Sequence, residues 1–383
     1  MESLGRIEIS YARWVGEMTR IGVVFGTRPE IIKLAPVIRA MGDFASLDPV
    51  VISTGQHSSL REIAIREENL NSDIELSLMT ERQSLSSFFA RAVSSLDEIF
   101  EAQKLDAVLV QGDTATAFAG ALAGYYRQLP VFHVEAGLRT GELYSPFPEE
   151  GNRKLVAQLA SLHFAPTQEA RDNLLDEGVN ADSVILTGNT VVDSLKGILA
   201  GEFSDDTLSK FSNIAGHNTN LVWTFHRREN QGAVNDVVET LRSLALANPD
   251  LGIWVPVHPN PAVSKPIWAL AGSYQNLHVL EPLNHKDFVY LLSKSDLVVT
   301  DSGGVQEEAL SLGKRLLVLR NTTERPEVVS SGLGVLHDPA DGEILEAVQQ
   351  RLNLLETPTI TSNPYGDGDA SFKVCEAIEE YFR

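Results

Sequence analysis

Cysteine and positive charge are both scarce in this sequence. Cys375 is the only cysteine among 383 residues, so no disulfide can form within the chain. That usage is typical of a reducing compartment, and we expect a cytoplasmic protein with this thiol buried. Only 31 Lys and Arg stand against 52 Asp and Glu, which gives a formal net charge of −21. A chain this acidic is a poor candidate for binding nucleic acid, and an anionic ligand must be held by a local basic cluster.

Several other sequence signals are missing. No run approaches the roughly 20 apolar residues that cross a bilayer, so we expect no membrane contact. Residues 1–18 lack the apolar core of a secretory signal and are expected to be an N-terminal extension. The nine histidines show no metal-binding spacing, and neither a P-loop nor a GxGxxG fingerprint is present. We therefore predict no bound metal and no cofactor.

From residue 19 onward, short apolar runs alternate with segments of helical periodicity, beginning with a strand at Ile21–Phe25. The further predicted strands are Pro49–Ser53, Asp106–Val110, Val131–Glu135, Leu162–Ala165, Val184–Leu186, Leu221–Phe225, Gly252–Val257, His278–Leu280, Asp296–Thr300 and Leu316–Leu319. This alternation predicts an α/β fold of two Rossmann-like, doubly wound parallel sheets. Between the halves, Gly201–Asn220 shows little periodicity and predicts an irregular linker. Two helices follow the last strand, one capped by Asp341 and ending at Leu355, and one at Ala370–Phe382.

Charged residues and glycines collect directly after the predicted strands in both halves. Arg28 and Lys33 follow the first strand, at the edge where open α/β sheets bind ligands. Two such edges facing each other would enclose a cleft. In the second half, Gly303 and Gly304 open a helix whose free N–H groups favour a phosphate. Glu308 is placed to take a hydroxyl pair such as a ribose, although a plain strand-to-helix turn would also explain the pattern.

Three acids and one histidine are candidates for proton chemistry. Asp113 and Glu149 also have a simpler interpretation, as a helix cap and as a residue of a first helical turn. Glu135 ends an apolar strand, where partial burial would raise its pKa and suit it to acid or base chemistry. His226 precedes two arginines across the predicted cleft from the acids, a sensible place to meet a diphosphate, with a structural histidine as the alternative. His258, beside two prolines, is interpreted as a loop histidine with a fixed conformation.

A series of motifs occurs in the order of a known family. They are Gly26–Glu30, Gln111–Thr114, His133–Arg139, Pro146–Glu150 with Asn152 and Arg153, Thr187–Asn189, His226–Asn230, Pro256–His258, Thr300–Glu308 and Glu324–Glu327. From about Arg20 to the C-terminus, the chain resembles the bacterial non-hydrolysing UDP-N-acetylglucosamine 2-epimerases. The resemblance implies a GT-B fold and a homodimer. It also implies an active site between two domains, residues 19–189 plus 368–383 and residues 190–367.

The resemblance further implies a reaction and a set of residues. UDP-N-acetylglucosamine and UDP-N-acetylmannosamine would be interconverted by anti elimination of UDP to 2-acetamidoglucal and re-addition, supplying N-acetylmannosamine-type sugars for cell-surface polysaccharide. The catalytic positions are Asp113, Glu135, Glu149 and His226. The substrate-binding positions are Arg28, Phe288, Ser302, Gly303, Gly304, Glu308 and Arg325. Lys33 and Arg139, at the predicted sheet edge, are added to this set. Positions for a second, activating UDP-N-acetylglucosamine are Gln56, His57, Arg228 and His258.

Three alternatives stay open at this point. Relatives of the family act on UDP-2,3-diacetamido-glucuronate, and no residue in the sequence excludes that substrate. A GT-B glycosyltransferase with a UDP-sugar donor would share the second half, although the acids at Asp113, Glu135 and Glu149 favour an epimerase. A hydrolysing epimerase would release UDP and the free sugar.

Overall fold

Two parallel sheets organise the chain. The computed structural model describes residues 18–55, 65, 67–68, 70–80, 83–354 and 362–383, and of Arg228 the backbone alone. The first sheet contains β1 (Thr19–Phe25), β2 (Leu47–Ser53), β3 (Ile74–Glu75), β4 (Ala107–Gln111), β5 (Val131–Val134), β6 (Leu162–Ala165) and β7 (Val184–Leu186), in the order β3-β2-β1-β4-β5-β6-β7. The second contains β8 (Thr219–Thr224), β9 (Leu251–Pro256), β10 (Leu277–Leu280), β11 (Leu297–Thr300), β12 (Arg315–Val318) and β13 (Gly334–Leu336), in the order β10-β9-β8-β11-β12-β13.

Helices connect the strands and cover both faces of each sheet. In the first half they are α1 (Arg28–Met41), α2 (Leu85–Gln103), α3 (Ala115–Tyr126), α4 (Glu149–Leu159), α5 (Gln168–Asp176) and α6 (Thr190–Ala200). Those that follow are α7 (Asp205–Lys210), α8 (Val234–Ala247), α9 (Pro261–Trp268), α10 (His285–Ser293), α11 (Gly303–Ser311), α12 (Glu327–Ser330), α13 (Ile344–Leu352) and α14 (Ala370–Tyr381). The predicted pair of doubly wound parallel sheets is confirmed.

The strands read as continuous apolar runs because each sheet is buried on both faces. Along β1, Val23 and Phe25 point into one core and Val24 points into the other. In β8, Trp223 and Val222 divide between two cores in the same way. Most strand positions are therefore apolar, with buried exceptions such as His133 and His163, and charged side chains collect mainly beyond the strand ends.

The last helix returns to the first sheet. Val374, Cys375 and Ile378 of α14 are fully buried in the core that contains Ile21 of β1. Burial raises the pKa of the Cys375 thiol to about 12, and its sulfur lies 3.7 Å from the carbonyl oxygen of Val37. The predicted burial of the cysteine is confirmed, and the cytoplasmic location stays a prediction. "First half" below means the elements of the first sheet together with α14, and "second half" means those of the second sheet.

The chain passes between the halves at two points, and these points touch. The backbone N–H of Asn189 donates to the carbonyl of Tyr365 at 2.8 Å. Gly188 has φ +89°, and a Cβ there would lie 2.8 Å from the same carbonyl oxygen. Gly366, also at φ +89°, would bring a Cβ within 3.3 Å of the Cα of Gly188. Both glycines are required by this close approach as well as by their backbone angles.

Two predictions from periodicity are wrong. The predicted linker Gly201–Asn220 contains α7, which Ser204 caps by accepting the N–H of Thr207 at 3.2 Å, and a 3-10 turn at Ser212–Gly216. The helix assigned to an Asp341 cap begins later, at Ile344, because Asp341 lies in a 3-10 turn, Pro339–Asp341. Periodicity also did not reveal the short strands β3 and β13. Among the described helices, none combines the length and the apolar character needed to cross a membrane.

Candidate functional site

The carboxyl-terminal edges of the two sheets face each other, and a buried charge quartet joins them. The region between the two edges is called the cleft below. The quartet consists of Lys33 and Glu135 from the first half and Glu307 and Arg325 from the second. Lys33 bonds Glu135 and lies 2.7 Å from a carboxylate oxygen of Glu307. The Nε of Arg325 donates to the other oxygen of Glu307, also at 2.7 Å. Each of the four side chains is at most 7% exposed, so two anions and two cations neutralise one another without water.

Backbone conformation directs Glu135 into this quartet. The residue follows β5 directly and has φ +64°, a left-handed conformation that is uncommon for a residue with a Cβ. Its carboxylate accepts from Asn189 Nδ2 at 3.2 Å and lies 3.8 Å from Arg325 Nη2. Burial and the neighbouring charge of Glu307 raise the pKa of Glu135. The predicted buried acid with a raised pKa is confirmed.

Glu307 responds in the opposite direction. Burial opposes ionisation, but Arg325 and Lys33 hold the pKa of Glu307 below its usual value. Glu307 is therefore the firmly ionised carboxylate of the quartet, and Glu135 is the one closer to accepting a proton.

The start of α11 brings bare backbone to the cleft. A Cβ on Gly303 would lie 2.6 Å from Nη1 of Arg325, so glycine is needed here for the guanidinium to pack against the turn. A Cβ on Gly304 would meet no described atom within 4 Å, which leaves that backbone open. Ser302 is the N-cap, and in the described structure its side chain makes no capping hydrogen bond. The helix start therefore keeps N–H groups and a hydroxyl for an anion.

Three arginines surround Glu324 next to this turn. Arg325 bonds Glu324 directly, Arg320 Nη1 lies 2.8 Å from it, and Arg227 Nη2 lies 3.8 Å from it. Burial works against ionisation, yet these cations hold the pKa of Glu324 far below its usual value. This is the local basic cluster that the acidic composition requires if the ligand is an anion.

Asp113 and Glu149 form the second acidic region of the cleft. Asp113 follows β4 after Gly112, and its Oδ2 accepts from Arg153 Nη1 at 2.6 Å while its side chain stays 27% exposed. Glu149 is the first residue of α4, as the sequence predicts. Burial and the charge of Asp113 raise the pKa of Glu149. Its Oε2 is buried and has no hydrogen-bond partner among the described residues.

Sequence reasoning did not identify Glu30, whose carboxylate connects the turn after β1 with the turn that contains Asp113. Its carboxylate accepts the N–H groups of Gly26 and Thr27 at 3.0 and 2.7 Å. Its other oxygen accepts from Thr114, the N-cap of α3, at 2.8 Å. Burial raises the pKa of Glu30 to about 7. The residue shapes the site through these backbone contacts.

A buried aspartate orients His226. The Nδ1 of His226 lies 3.1 Å from Oδ1 of Asp301, and Asp301 also accepts the N–H groups of His226 and Arg227 at 3.0 and 2.8 Å. Burial opposes ionisation, but His226 and these donors lower the pKa of Asp301. An ionised Asp301 keeps the proton of His226 on Nδ1 and leaves Nε2 for a ligand. Sequence reasoning did not identify this pair, because it depends on the register of β8 and β11, in which Thr224 lies opposite Thr300.

The predicted nucleoside end of the cleft contains Glu308 and Phe288. Glu308 is 6% exposed and bonds Nε2 of His285 at 2.9 Å. Phe288 lies in the same helix as His285, α10, and is half-buried. Arg28 Nη1 donates to the carbonyl of Leu283, just before that helix, at 3.0 Å. His285 was not identified from the sequence, because its partners are remote along the chain.

Some predicted site residues are not brought into the cleft cluster. Arg139 forms a bidentate pair with Glu177, at 3.0 and 2.6 Å, and donates to the carbonyl of Leu138. His258 stacks on His226 with ring centroids 5.3 Å apart. Gln56, His57 and the side chain of Arg228 lie outside the described residues. Within the described part of the chain, no group of three or more His, Cys, Asp or Glu has the geometry to hold a metal ion.

Comparison with known proteins gives a consistent set of similarities. A UDP-N-acetylglucosamine 2-epimerase family model matches residues 39–379. A probable UDP-N-acetylglucosamine 2-epimerase of Ralstonia solanacearum is 44% identical over 375 residues, which cover 95% of this chain and 100% of the relative. The crystal structure of the Neisseria meningitidis UDP-GlcNAc 2-epimerase bound to UDP-GlcNAc has a TM-score of 0.89 at 40% identity, covering 94% and 100% of the two chains. A co-structure with UDP from S. aureus has a TM-score of 0.88 at 38% identity, covering 95% and 97%.

Proposed function

The chain belongs to the UDP-N-acetylglucosamine 2-epimerase family of isomerases and has their GT-B-like fold, and we propose that it interconverts UDP-N-acetylglucosamine and UDP-N-acetylmannosamine. The observation that carries the proposal is the arrangement of the cleft. Acids of the first half face a basic helix start in the second. The N. meningitidis relative, whose structure contains UDP-GlcNAc, covers nearly the whole chain.

The second half holds the nucleotide in this proposal. The free N–H groups and hydroxyl at Ser302, Gly303 and Gly304 bind the diphosphate, assisted by Arg325 and Arg28. Phe288 lines the uracil pocket, and the carboxylate of Glu308 accepts the ribose hydroxyls. Arg139 is also assigned to substrate binding, and its guanidinium forms a bidentate pair with Glu177 in this structure. We divide the chain into two domains that match these roles. Residues 190–367 form a nucleotide domain, and residues 19–189 plus 368–383 form a sugar domain.

The first half performs the proton chemistry. The C2 proton of the sugar is weakly acidic, so its removal must accompany departure of UDP. A carboxylate takes the C2 proton, the C–H electron pair forms a C1–C2 double bond, and the C1–O pair leaves with UDP. Re-addition of UDP to C1, with a proton delivered to the other face of C2, gives the epimer. Asp113, Glu135 and Glu149 are the acids and bases of these two steps.

His226 meets the departing diphosphate. With Asp301 holding Nδ1, the imidazole presents Nε2 beside the basic cluster of Arg227, Arg320 and Arg325. A protonated His226 there stabilises the negative charge that develops on the leaving oxygen. Its side chain is 33% exposed, which leaves the ring accessible from the cleft.

Incubation with UDP-N-acetylglucosamine in D2O, without an acceptor, tests the proposal. We expect the manno epimer to appear with deuterium at C2, and deuterium to enter the remaining substrate as well. Free N-acetylmannosamine with UDP would indicate a hydrolysing enzyme, and no reaction without an acceptor would favour a glycosyltransferase. Turnover of UDP-2,3-diacetamido-glucuronate alone would reassign the substrate. Retained epimer formation without deuterium would contradict proton exchange at C2.

We also propose an activating second UDP-N-acetylglucosamine, bound beside the cleft by His258, Gln56, His57 and Arg228. The stack of His258 on His226 supports this, because it connects the second position directly with a proposed catalytic residue. Initial rates should then rise sigmoidally with UDP-N-acetylglucosamine concentration, and a strictly hyperbolic dependence would contradict activation.

A homodimer is the last part of the proposal. Exposed aromatic side chains support it: Tyr125 and Tyr126 at the end of α3, and Tyr144 and Phe147 just before Glu149, are 54%, 67%, 78% and 65% exposed. Aromatic residues are enriched in protein interfaces, and large exposed apolar surface is uncommon on monomers. Light scattering coupled to size exclusion should give twice the chain mass. A monomer at micromolar concentration would contradict the dimer.

A further inference from the structure

His285 is a buried histidine that lies between the two halves. It begins α10, is 2% exposed, and contacts Oε1 of Glu308 through Nε2 at 2.9 Å. Its Nδ1 faces Oε1 of Glu68, from the first half, at 3.5 Å, an ion-pair separation longer than a hydrogen bond. Its backbone N–H donates to Oε2 of Glu67 at 3.0 Å. One imidazole therefore has carboxylates of both halves on its two nitrogens.

The charges around the ring favour the imidazolium. Glu308 approaches from α11, and Glu67 and Glu68 approach from the first half. Two arginines in this region are bonded to other groups. Arg39 Nη1 is 3.2 Å from Glu68, and Arg28 donates to the carbonyl of Leu283. Burial alone would lower the pKa of His285, but Glu308 and Glu68 raise it to about 9. At neutral pH the ring is charged, donates from Nε2 to Glu308, and is attracted at Nδ1 by the charge of Glu68.

An imidazolium in this place fixes one oxygen of Glu308. A carboxylate has two oxygens and about four acceptor positions, so Glu308 retains capacity for a ribose hydroxyl. His285 therefore holds Glu308 in a fixed orientation.

We propose that His285 is a positioning residue for ribose recognition, holding Glu308 for the hydroxyls and connecting it to Glu68 in the first half. This inference rests on the proposed function, because it assumes a uridine nucleotide in the cleft. It adds that recognition of the ribose depends on contact between the halves.

Calorimetric titration with UDP and with 2′-deoxyuridine diphosphate tests the role. The wild type should bind UDP more tightly by about tenfold, the value of one hydrogen bond to a charged acceptor. In His285→Leu this ratio should fall toward one, with the affinity for the deoxy nucleotide little changed. A role in folding or packing alone would weaken both nucleotides equally, and that result would overturn the proposal.

His285→Gln is the matched control, because its amide can donate to Glu308 but does not titrate. The wild-type ratio should be largest while the ring is charged and should decline as pH rises through about 9, because a neutral ring donates a weaker hydrogen bond. The Gln variant is a neutral donor at every pH, so its ratio should be smaller than that of the wild type at neutral pH and flat. The two nucleotides share one base, so the titration of uracil cancels. Glu68→Gln removes one charge that stabilises the imidazolium, and the decline should then begin at lower pH. An unchanged pH profile in Glu68→Gln would overturn the connection to the first half.

The same titrations distinguish a failure of the proposed function from a failure of the role of His285. If the wild type binds neither nucleotide, the proposed function fails. If it binds UDP but His285→Leu leaves the UDP preference intact, only the role of His285 is overturned.

Discussion

Glu135 and Glu149 both lie at the carboxyl-terminal edge of the first sheet, but their surroundings differ. Glu135 is bonded by Lys33 and Asn189 and lies near Arg325, so its carboxylate is saturated. Glu149 has a buried oxygen with no partner among the described residues, and burial and the charge of Asp113 raise its pKa against the smaller opposing effects of Arg227 and Arg153. Removing a saturated carboxylate should therefore cost stability as well as turnover, whereas removing an unsatisfied one should cost mainly turnover. Residues with the same proposed role therefore differ in what their removal should do.

The largest expected effect is on turnover at the unsatisfied region. Glu149→Gln and Asp113→Asn should each lower kcat by roughly 10²- to 10⁴-fold, the usual contribution of a general acid or base. Thermal unfolding should change little in Glu149→Gln. Asp113→Asn should lower stability modestly, because the buried Arg153 loses one of its two carboxylate partners and keeps Glu150. Steady-state kinetics with a coupled assay, alongside UDP titration, measures this. Near-normal kcat in either variant would remove that residue from the catalytic set.

The next effect concerns stability at the saturated region. Glu135→Gln should lower the free energy of unfolding by about 3–5 kcal/mol, because a buried cation loses its counter-ion. Glu307→Gln is the matched control, since it breaks the same quartet without removing a proposed catalyst. Urea unfolding should show similar losses for both, while kcat should collapse in Glu135→Gln alone. Equal kcat losses would assign Glu135 a purely structural role.

A smaller change is expected in the titration of Glu149. The charge of Asp113 disfavours a second ionised carboxylate nearby, so Asp113→Asn should lower the pKa of Glu149. Carboxyl-carbon NMR with labelled glutamate follows this directly, without relying on the residual activity. Glu135 offers an internal comparison, because its pKa is raised by burial and by Glu307 and not by Asp113. An unmoved Glu149 titration would show that burial alone sets its pKa.

The smallest effect is expected across the cleft, at the helix start. Ser302→Ala should weaken UDP binding by about 0.5–1.5 kcal/mol through loss of one hydrogen bond, with kcat little changed. Ser311→Ala, at the other end of α11, is the control and should leave binding unchanged. A large fall in kcat with unaltered UDP affinity would move Ser302 from binding to chemistry.

Sequence patterns predicted most strands of the two sheets, because strands buried on both faces are mainly apolar and charged residues begin where they end. They placed Glu135 inside a strand, although it is the first residue after β5 and has a left-handed backbone. The cap that starts α7 is a single serine in a polar stretch, which gave too little periodicity to notice. Short helices of this kind depend on one local hydrogen bond, and hydrophobic spacing does not reveal them.

The sequence predicted the parts of the site whose functional groups lie within one short motif. It did not predict the parts that depend on pairs of residues far apart along the chain. Ser302, Gly303 and Gly304 form a recognisable helix start. Asp301 becomes informative only when the register of β8 and β11 brings it to His226. His285 and Glu68 have no meaning in sequence until the two halves are packed together. Long-range ion pairs are therefore the part of the site that depends most on the structure.

The contact between Gly188 and Gly366 has a mechanical consequence. Two passages of chain that meet at one point act as a pivot, which permits rotation and resists sliding. Asn189 connects this pivot to Glu135, through its backbone to Tyr365 on one side and its amide to the carboxylate on the other. In a rotation, atoms near the axis are displaced little, whereas atoms farther from the axis are displaced more. Rotation of the halves about this point would therefore displace Glu135 less than the residues of the cleft that lie farther away.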